Sequence, residues 1–435
     1  MAYSRFRSAW KNRPDTSTPI TAEALDHFEE GVKAAHDVLD GRLSDTALNA
    51  TYAPVSGSAA YAPATPLAVA TRSKTGNPRL STSAAAALSD GTATAQMTRV
   101  RHRATAGAHS VRFVYTNIAG GSVGPNPITV KAAFEYSLGA IVPVFFNGSR
   151  TGVCAPGGIL VSDPIPVELA DNDLFYSRNL VTVGSAGEKW PLGPYISTSV
   201  GDGTAATDLV DSGAITGGNA TYAFGPSAIV GSKVGAATAV LLLGDSILQG
   251  LGDGSSEPTT DAGWGARALN NEYGYVNVAL AGEEASQFQP GNARRLSRLP
   301  LARYCTHAIV NHGINDVKAD STTAQIQQRL TNIWTALANM GLKVYQSTLT
   351  PVTTGTFTTE AGQTKQTQAR EDVRIAVNTW IRSTPAPLTG FLEAADAVET
   401  ARNSGIWKAN YTTDGTHPSA TGAAAIATAV APLPF

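Results

Sequence analysis

The sequence predicts a multidomain protein: an N-terminal helix and stalk, a β-sandwich or jelly-roll domain, and a C-terminal α/β domain built on a flavodoxin-like parallel sheet. Three observations predict it. The chain has 435 residues, too many for one ordinary core. Between residues 96 and 235, apolar residues alternate over short runs separated by Gly, Pro, Asn and Asp. From about residue 236, apolar runs alternate with amphipathic helical stretches to the end, the order that builds a parallel sheet covered on both faces.

The first segment, residues 1–45, reads as an extended start held open by Pro14 and Pro19, then a helix capped by Thr21. Leu25, Phe28, Val32, Ala35 and Leu39 follow a 3-4-3-4 spacing, a short heptad seam. It suits either one amphipathic helix packed on its own chain or a bundle joining three chains. Residues 46–95, rich in Ala, Ser, Thr and Pro, read as a linker or stalk. In residues 96–235, Val111, Phe113 and Tyr115 mark one strand, and Ile128, Val130, Ala132, Phe134 and Tyr136 another. Ile165, Val167 and Leu169 flank Pro166, which predicts an edge strand.

In residues 236–435, strands are expected at 237–243, 275–280, 308–311 and 343–349, and helices at 262–272, 322–340 and 364–383. Ile326, Leu330, Ile333 and Leu337 give the 322–340 helix its apolar face.

Composition narrows the function classes. A formal net charge of −2 supplies no electrostatic reason to bind nucleic acid or an anionic membrane. The apolar runs at 138–146 and 236–243 fall well short of the roughly 20 residues a membrane span needs, so no membrane insertion is expected. The basic N-terminus has no apolar stretch behind it, so no secretory signal is expected. Cys154 and Cys305 read as free, buried thiols. There is no His/Cys cluster with ligand spacing, and neither metal nor other cofactor is expected.

Four segments carry possible chemistry. Leu241-Leu242-Leu243 runs into Gly244-Asp245-Ser246, placing a serine at the carboxyl end of a strand, where open α/β sheets build sites. Taken alone, Asp245 or Ser246 reads first as a helix cap, and no Gly-x-Ser-x-Gly surrounds the serine. In Asp414-Gly415-Thr416-His417-Pro418, a carboxylate three residues before a histidine can orient its ring; a surface histidine on a turn reads equally well. Gly313-Ile314-Asn315-Asp316 follows a strand and offers a side-chain amide, or merely a turn. Asn277-Val278-Ala279-Leu280-Ala281-Gly282 is again strand then turn, ending on a glycine that lets backbone approach a substrate.

In this order, the four segments resemble the blocks of the SGNH (GDSL-like) hydrolase family over roughly residues 236–435. Ile247 stands in place of the usual leucine, and Ala279 where many relatives have glycine. The resemblance implies a serine esterase with Ser246 as nucleophile, His417 as base and Asp414 as orienting acid. It also implies an oxyanion hole formed by the N–H groups of Ser246 and Gly282 and the side chain of Asn315.

Residues 10–23, with Pro19-Ile20-Thr21-Ala22-Glu23 and a helix ending near Gly31, are similar to the N-termini of phage tail and baseplate appendage proteins. That implies a homotrimer attached to other tail proteins, in the virion, and an acetylated host polysaccharide as substrate. The alternatives are a lipase or thioesterase of the same family, and a non-catalytic receptor-binding tail protein. The β domain is expected as a spacer, with sugar binding as the alternative. Trp190 and Trp264 are expected to be buried, although either indole suits stacking on a sugar ring.

Overall fold

The computed structural model describes residues 66–72, 87–215, 217–218, 222–233, 238–253, 262–270 and 272–435, all within one compact unit, Thr65–Phe435. The expected N-terminal helix and its heptad seam lie outside the described residues.

Two antiparallel sheets form the first half. One contains β1 (Leu67–Ala68), β3 (Ala108–Thr116), β9 (Ile159–Val161), β10 (Ile165–Leu169) and β13 (Ala228–Lys233), in the order β1-β13-β3-β10 with β9 also on β3. The other contains β2 (Ala95–Arg103), β6 (Ile128–Tyr136), β7 (Ile141–Pro143), β8 (Thr151–Cys154), β11 (Leu174–Thr182) and β12 (Gly203–Ala205), in the order β12-β2-β11-β6-β7 with β8 also on β6. The alternation of each strand sends every second side chain inward. Val111, Phe113 and Tyr115 from the first sheet share one core with Ile128, Val130, Phe134 and Phe175 from the second. Strand β10 ends its sheet, which is where Pro166 costs no ladder bond. A small hairpin, β4 (Ile118–Ala119) and β5 (Ser122–Val123), lies between β3 and β6 in the chain.

Residues 66–72 and 87–95 lie in the segment expected as linker or stalk, and the structure corrects that reading. Leu67 and Ala68 pair with β13, Ala70 bridges Ala104, and Leu88 bridges Pro191. Their pairing partners are distant in sequence, and so short a run has no periodicity to announce it.

The second half is a parallel sheet of β14 (Ala239–Leu243), β15 (Gly274–Asn277), β16 (His307–Val310), β17 (Lys343–Ser347) and β20 (Gly390–Leu392), in the order β15-β14-β16-β17-β20. Counted within this domain the order is 2-1-3-4-5, whose switch point lies between β14 and β16. All five residues of β14 are buried, as a central strand covered on both faces requires. The helices are α1 (Ser246–Gln249), α2 (Trp264–Leu269), α3 (Ala293–Arg298), α4 (Ile314–Lys318), α5 (Thr323–Asn339), α6 (Gln368–Arg382), α7 (Ala395–Val398) and α8 (Ala420–Val430). Ile326, Leu330, Ile333 and Leu337 of α5 are fully buried, as their spacing predicts.

Two helices are shorter than expected. Helix α2 starts after Gly263, which has φ +99° and donates to Asp253, and ends at Asn270 in the left-handed region. Helix α6 starts after its cap Thr367, because residues 363–365 form strand β19 paired with β18 (Thr353–Gly355).

The two halves share apolar contacts: Ala68, Val114, Ala228 and Val230 pack in the same core as the parallel sheet. Trp190 and Trp264 are both buried, and so are Cys154 and Cys305. Among the described residues, no helix is long and apolar enough to cross a membrane.

Candidate active site

Strand β14 delivers Gly244-Asp245-Ser246 to the switch point of the sheet. The cap reading and the site reading of this segment turn out to be compatible. Asp245 is the N-cap of α1, its carboxylate accepting the Ile247 N–H at 2.9 Å, and Ser246 is the first helical residue. Gly244 is needed for close approach: a Cβ there would stand 2.9 Å from the Cβ of Asn311. Burial pushes the Asp245 carboxyl up to about 6, against the Ile247 N–H and the nearby His312 and His417.

Ser246 Oγ lies 2.7 Å from His417 Nε2. On the far side of the ring, His417 Nδ1 lies 2.6 Å from Asp414 Oδ2. The other oxygen, Asp414 Oδ1, accepts the backbone N–H groups of Thr416 at 2.9 Å and His417 at 2.8 Å. Partial burial works to raise the Asp414 carboxyl, but the His417 ring and these N–H groups outweigh it and hold it well below the usual carboxylate range. A carboxylate that cannot take the Nδ1 proton keeps it on the ring, which leaves Nε2 as acceptor for the serine hydroxyl.

The turn that carries this pair is fixed from three sides. Gly415 has φ +80°, and a Cβ there would stand 1.9 Å from the Thr353 carbonyl oxygen. Thr412 Oγ1 accepts the Gly415 N–H at 2.9 Å and donates to the His417 carbonyl at 2.8 Å. Trp407 Nε1 donates to the Gly415 carbonyl at 3.1 Å.

Gly282 lies on the loop after β15, and Asn315 beside it at the start of α4. Leu280 N–H donates to the Gly244 carbonyl at 2.8 Å, which ties the Gly282 loop to the serine segment. Gly282 has φ +73°, and no heavy atom lies within 4 Å of where its Cβ would be, so it faces open space. Asn315, in the first turn of α4, donates from Nδ2 to the Glu283 carbonyl at 3.1 Å. One amide hydrogen is thereby used and the amide plane is set; the second hydrogen is left over.

Sequence reasoning missed what braces these loops. Asp316, fully buried, accepts the N–H groups of Ala285 at 2.6 Å and Ser286 at 3.2 Å and pairs with Arg329 at 2.9 Å. Glu283, also fully buried, pairs with Arg298 and with His312 Nε2 at 2.9 Å. Burial works to raise Glu283, yet these two partners hold it below the usual range. The only sequence signal was position: Glu283 directly follows Gly282, and His312 directly precedes Gly313.

The arrangement as a whole presents a buried hydroxyl with an acceptor beside it, a carboxylate behind that acceptor, and polar hydrogens nearby. That set can make a nucleophile and return its proton. Among the described residues, no group of His, Cys, Asp and Glu is arranged to hold a metal ion.

Comparison with known proteins agrees on the class. Residues 242–425 match the model described as the GDSL-like Lipase/Acylhydrolase family. No curated protein matches the chain at a significant level. Among solved structures, a GDSL-like lipase from Bacteroides thetaiotaomicron is 15% identical, with 44% of this chain and 85% of that chain covered and a TM-score of 0.32. A carbohydrate acetylesterase from Sinorhizobium meliloti is 19% identical over 44% of this chain and 96% of that one, with a TM-score of 0.33. A Bacillus subtilis protein is 16% identical and covers 76% of this chain and 78% of its own length, with a TM-score of 0.33. The C-terminal region of this chain, residues 242–425, is a hydrolase domain of the GDSL-like lipase/acylhydrolase (SGNH) family.

Proposed function

We propose that this protein is a serine esterase that removes O-acetyl groups from a host cell-surface polysaccharide, carried on a phage tail appendage. The observation that carries the esterase part is the unbroken line from Ser246 Oγ to His417 to Asp414. Ser246 Oγ attacks the ester carbonyl while His417 Nε2 takes its proton. The oxyanion is met by the N–H groups of Ser246 and Gly282 and by the free hydrogen of the Asn315 amide. As the tetrahedral intermediate collapses, the C–O bond of the ester breaks and His417 gives the proton to the departing sugar oxygen, which leaves as a hydroxyl. Water then attacks the acyl-Ser246, giving its proton to His417, and the second collapse frees acetate and restores Ser246. Asp414 holds the ring and compensates its positive charge at each turn.

The setting is supported by the N-terminal segment, residues 10–23, and its similarity to tail and baseplate appendage proteins. In that setting the protein is a homotrimer joined to other tail proteins. The decisive experiment incubates the protein with O-acetylated host polysaccharide and measures released acetate. Acetate release that disappears in Ser246→Ala supports the proposal. Glycan binding without release would make it a receptor-binding protein instead, and a preference for long acyl chains over acetyl would make it a lipase or thioesterase. Light scattering on chains with and without residues 1–45 tests the trimer.

A further inference from the structure

We infer that Glu283 is a positioning residue for the oxyanion site, holding Gly282 and Asn315 at a set separation through a buried link to His312 and Arg298. The inference rests on the esterase reading above. It goes beyond that reading in giving a role to three side chains that touch neither the ester nor the catalytic line.

The geometry makes Glu283 a tie between two loops. By sequence it follows Gly282, so any movement of its Cα moves the Gly282 peptide. Its carbonyl oxygen accepts the Asn315 amide at 3.1 Å, which sets the plane of that amide. Its carboxylate takes His312 Nε2 at 2.9 Å, from the loop that leads through Gly313 to Asn315. The other carboxylate oxygen takes Arg298, whose guanidinium also donates to the Val278 carbonyl at 2.5 Å, at the start of the Gly282 loop. Arg294 stands further off, 3.7 Å from the same oxygen. Backbone and side chain of one residue thus reach the asparagine loop by two routes, while Arg298 closes the glycine loop on itself.

Burial says why this is a geometric device. The Glu283 and His312 side chains are fully enclosed and that of Arg298 is 2% exposed. A fully buried ion pair adds little net stability over an apolar packing of the same shape, because desolvation cancels much of the attraction. What it does supply is direction: charge-assisted bonds hold their partners within tight limits of distance and angle. Donors to a developing oxyanion must be held to that tolerance, since a shift of about 1 Å costs on the order of 100-fold in rate. The Phe288 ring packs beside this link, its centroid 6.0 Å from that of the His312 ring.

The test uses the full chain, p-nitrophenyl acetate, and a trifluoromethyl ketone that forms a tetrahedral adduct. Glu283→Gln and His312→Gln are compared with the parent, and turnover is expressed per site titrated with a fluorophosphonate. We expect kcat to fall roughly 10- to 100-fold, with KM within about two-fold. The ketone should weaken by a similar factor, and the pH midpoint of kcat should not move, because the Ser246–His417–Asp414 line is untouched. A purely structural role would reduce the titrated fraction and leave kcat per site and ketone affinity at the parent level; that result would overturn the inference. If Glu283→Gln does not fold, His312→Gln, which keeps the Glu283–Arg298 pair, decides. Absence of turnover in the parent chain would sink the esterase reading and this inference together, and is thereby distinguished from failure of the inference alone.

Discussion

Gly252 lies directly against His417. A Cβ built on Gly252 would stand 2.7 Å from the His417 Cβ and 2.7 Å from the Pro418 carbonyl oxygen, and Gly252 itself has φ +86°. The chain just beyond α1 therefore backs the histidine that faces Ser246. Gly252→Ala is expected to push His417 away from Ser246 while the fold persists. Because the displacement is a few tenths of an ångström to about 1 Å, kcat on p-nitrophenyl acetate should fall roughly 10- to 100-fold. A variant with parental kcat would show that the backing is slack.

Ser246→Ala should reduce turnover to the uncatalysed background with an unchanged circular dichroism spectrum. Asp414→Asn should keep its backbone bonds to Thr416 and His417 in part, yet lose the charge that stabilises the imidazolium. A loss of roughly 100- to 10,000-fold in kcat is expected, measured against the parent over pH 5 to 9. Since the folded-state value of Asp414 is depressed, its stabilising contribution is complete above about pH 4, where the unfolded carboxylate ionises. It fades only as pH falls further, so the activity profile above pH 5 should show no step from Asp414.

Asp245 shows the opposite sign. Its carboxyl is raised by burial to about 6, so between about pH 4 and 6 the folded chain keeps a proton that the unfolded chain releases. Stability from this group is therefore greatest below about pH 4, falls as pH rises to 6, and is level beyond. Asp245→Asn should gain on the parent as pH rises, to at most about 3 kcal/mol above pH 7, with no difference below pH 4. Urea midpoints at pH 4.5, 6 and 8 for both proteins check it, and a pH-independent difference would refute it.

Arg374 is fully buried in α6 and pairs with two carboxylates, Glu371 at 2.6 Å and Glu399 at 2.5 Å, while also donating to the Leu349 carbonyl at 3.0 Å. Removing the cation leaves two enclosed negative charges facing each other. Arg374→Ala should destabilise the folded chain by about 3–5 kcal/mol, read as a lowered urea midpoint. A change below about 1 kcal/mol would mean that the carboxylates take up protons at little cost.

Local pattern was enough for the elements whose information is local. The alternation at 128–136 gave a strand with those bounds, Pro166 gave an edge strand, and the spacing of Ile326 to Leu337 gave a buried helical face. The four motif segments were legible because each is a short contiguous run, as was the α/β class of the last 200 or so residues. The heptad seam of residues 25–39 belongs to the same kind of evidence and lies outside the described residues.

Tertiary structure alone decided what depends on partners far apart in the chain. It set the strand order 2-1-3-4-5, and with it the convergence of Ser246 and His417, 171 residues apart. It drew Leu67 and Ala68 into a sheet with β13, and paired residues 363–365 with 353–355 in a hairpin where a helix was expected to begin at 364. It paired Glu283 with His312 and Arg298, and set Gly252 behind His417. The physical reason is common to all of these. Periodicity and turn chemistry act over a few residues and are written in composition, whereas a ladder bond, a buried charge pair or a close backbone approach needs two segments that only folding brings together.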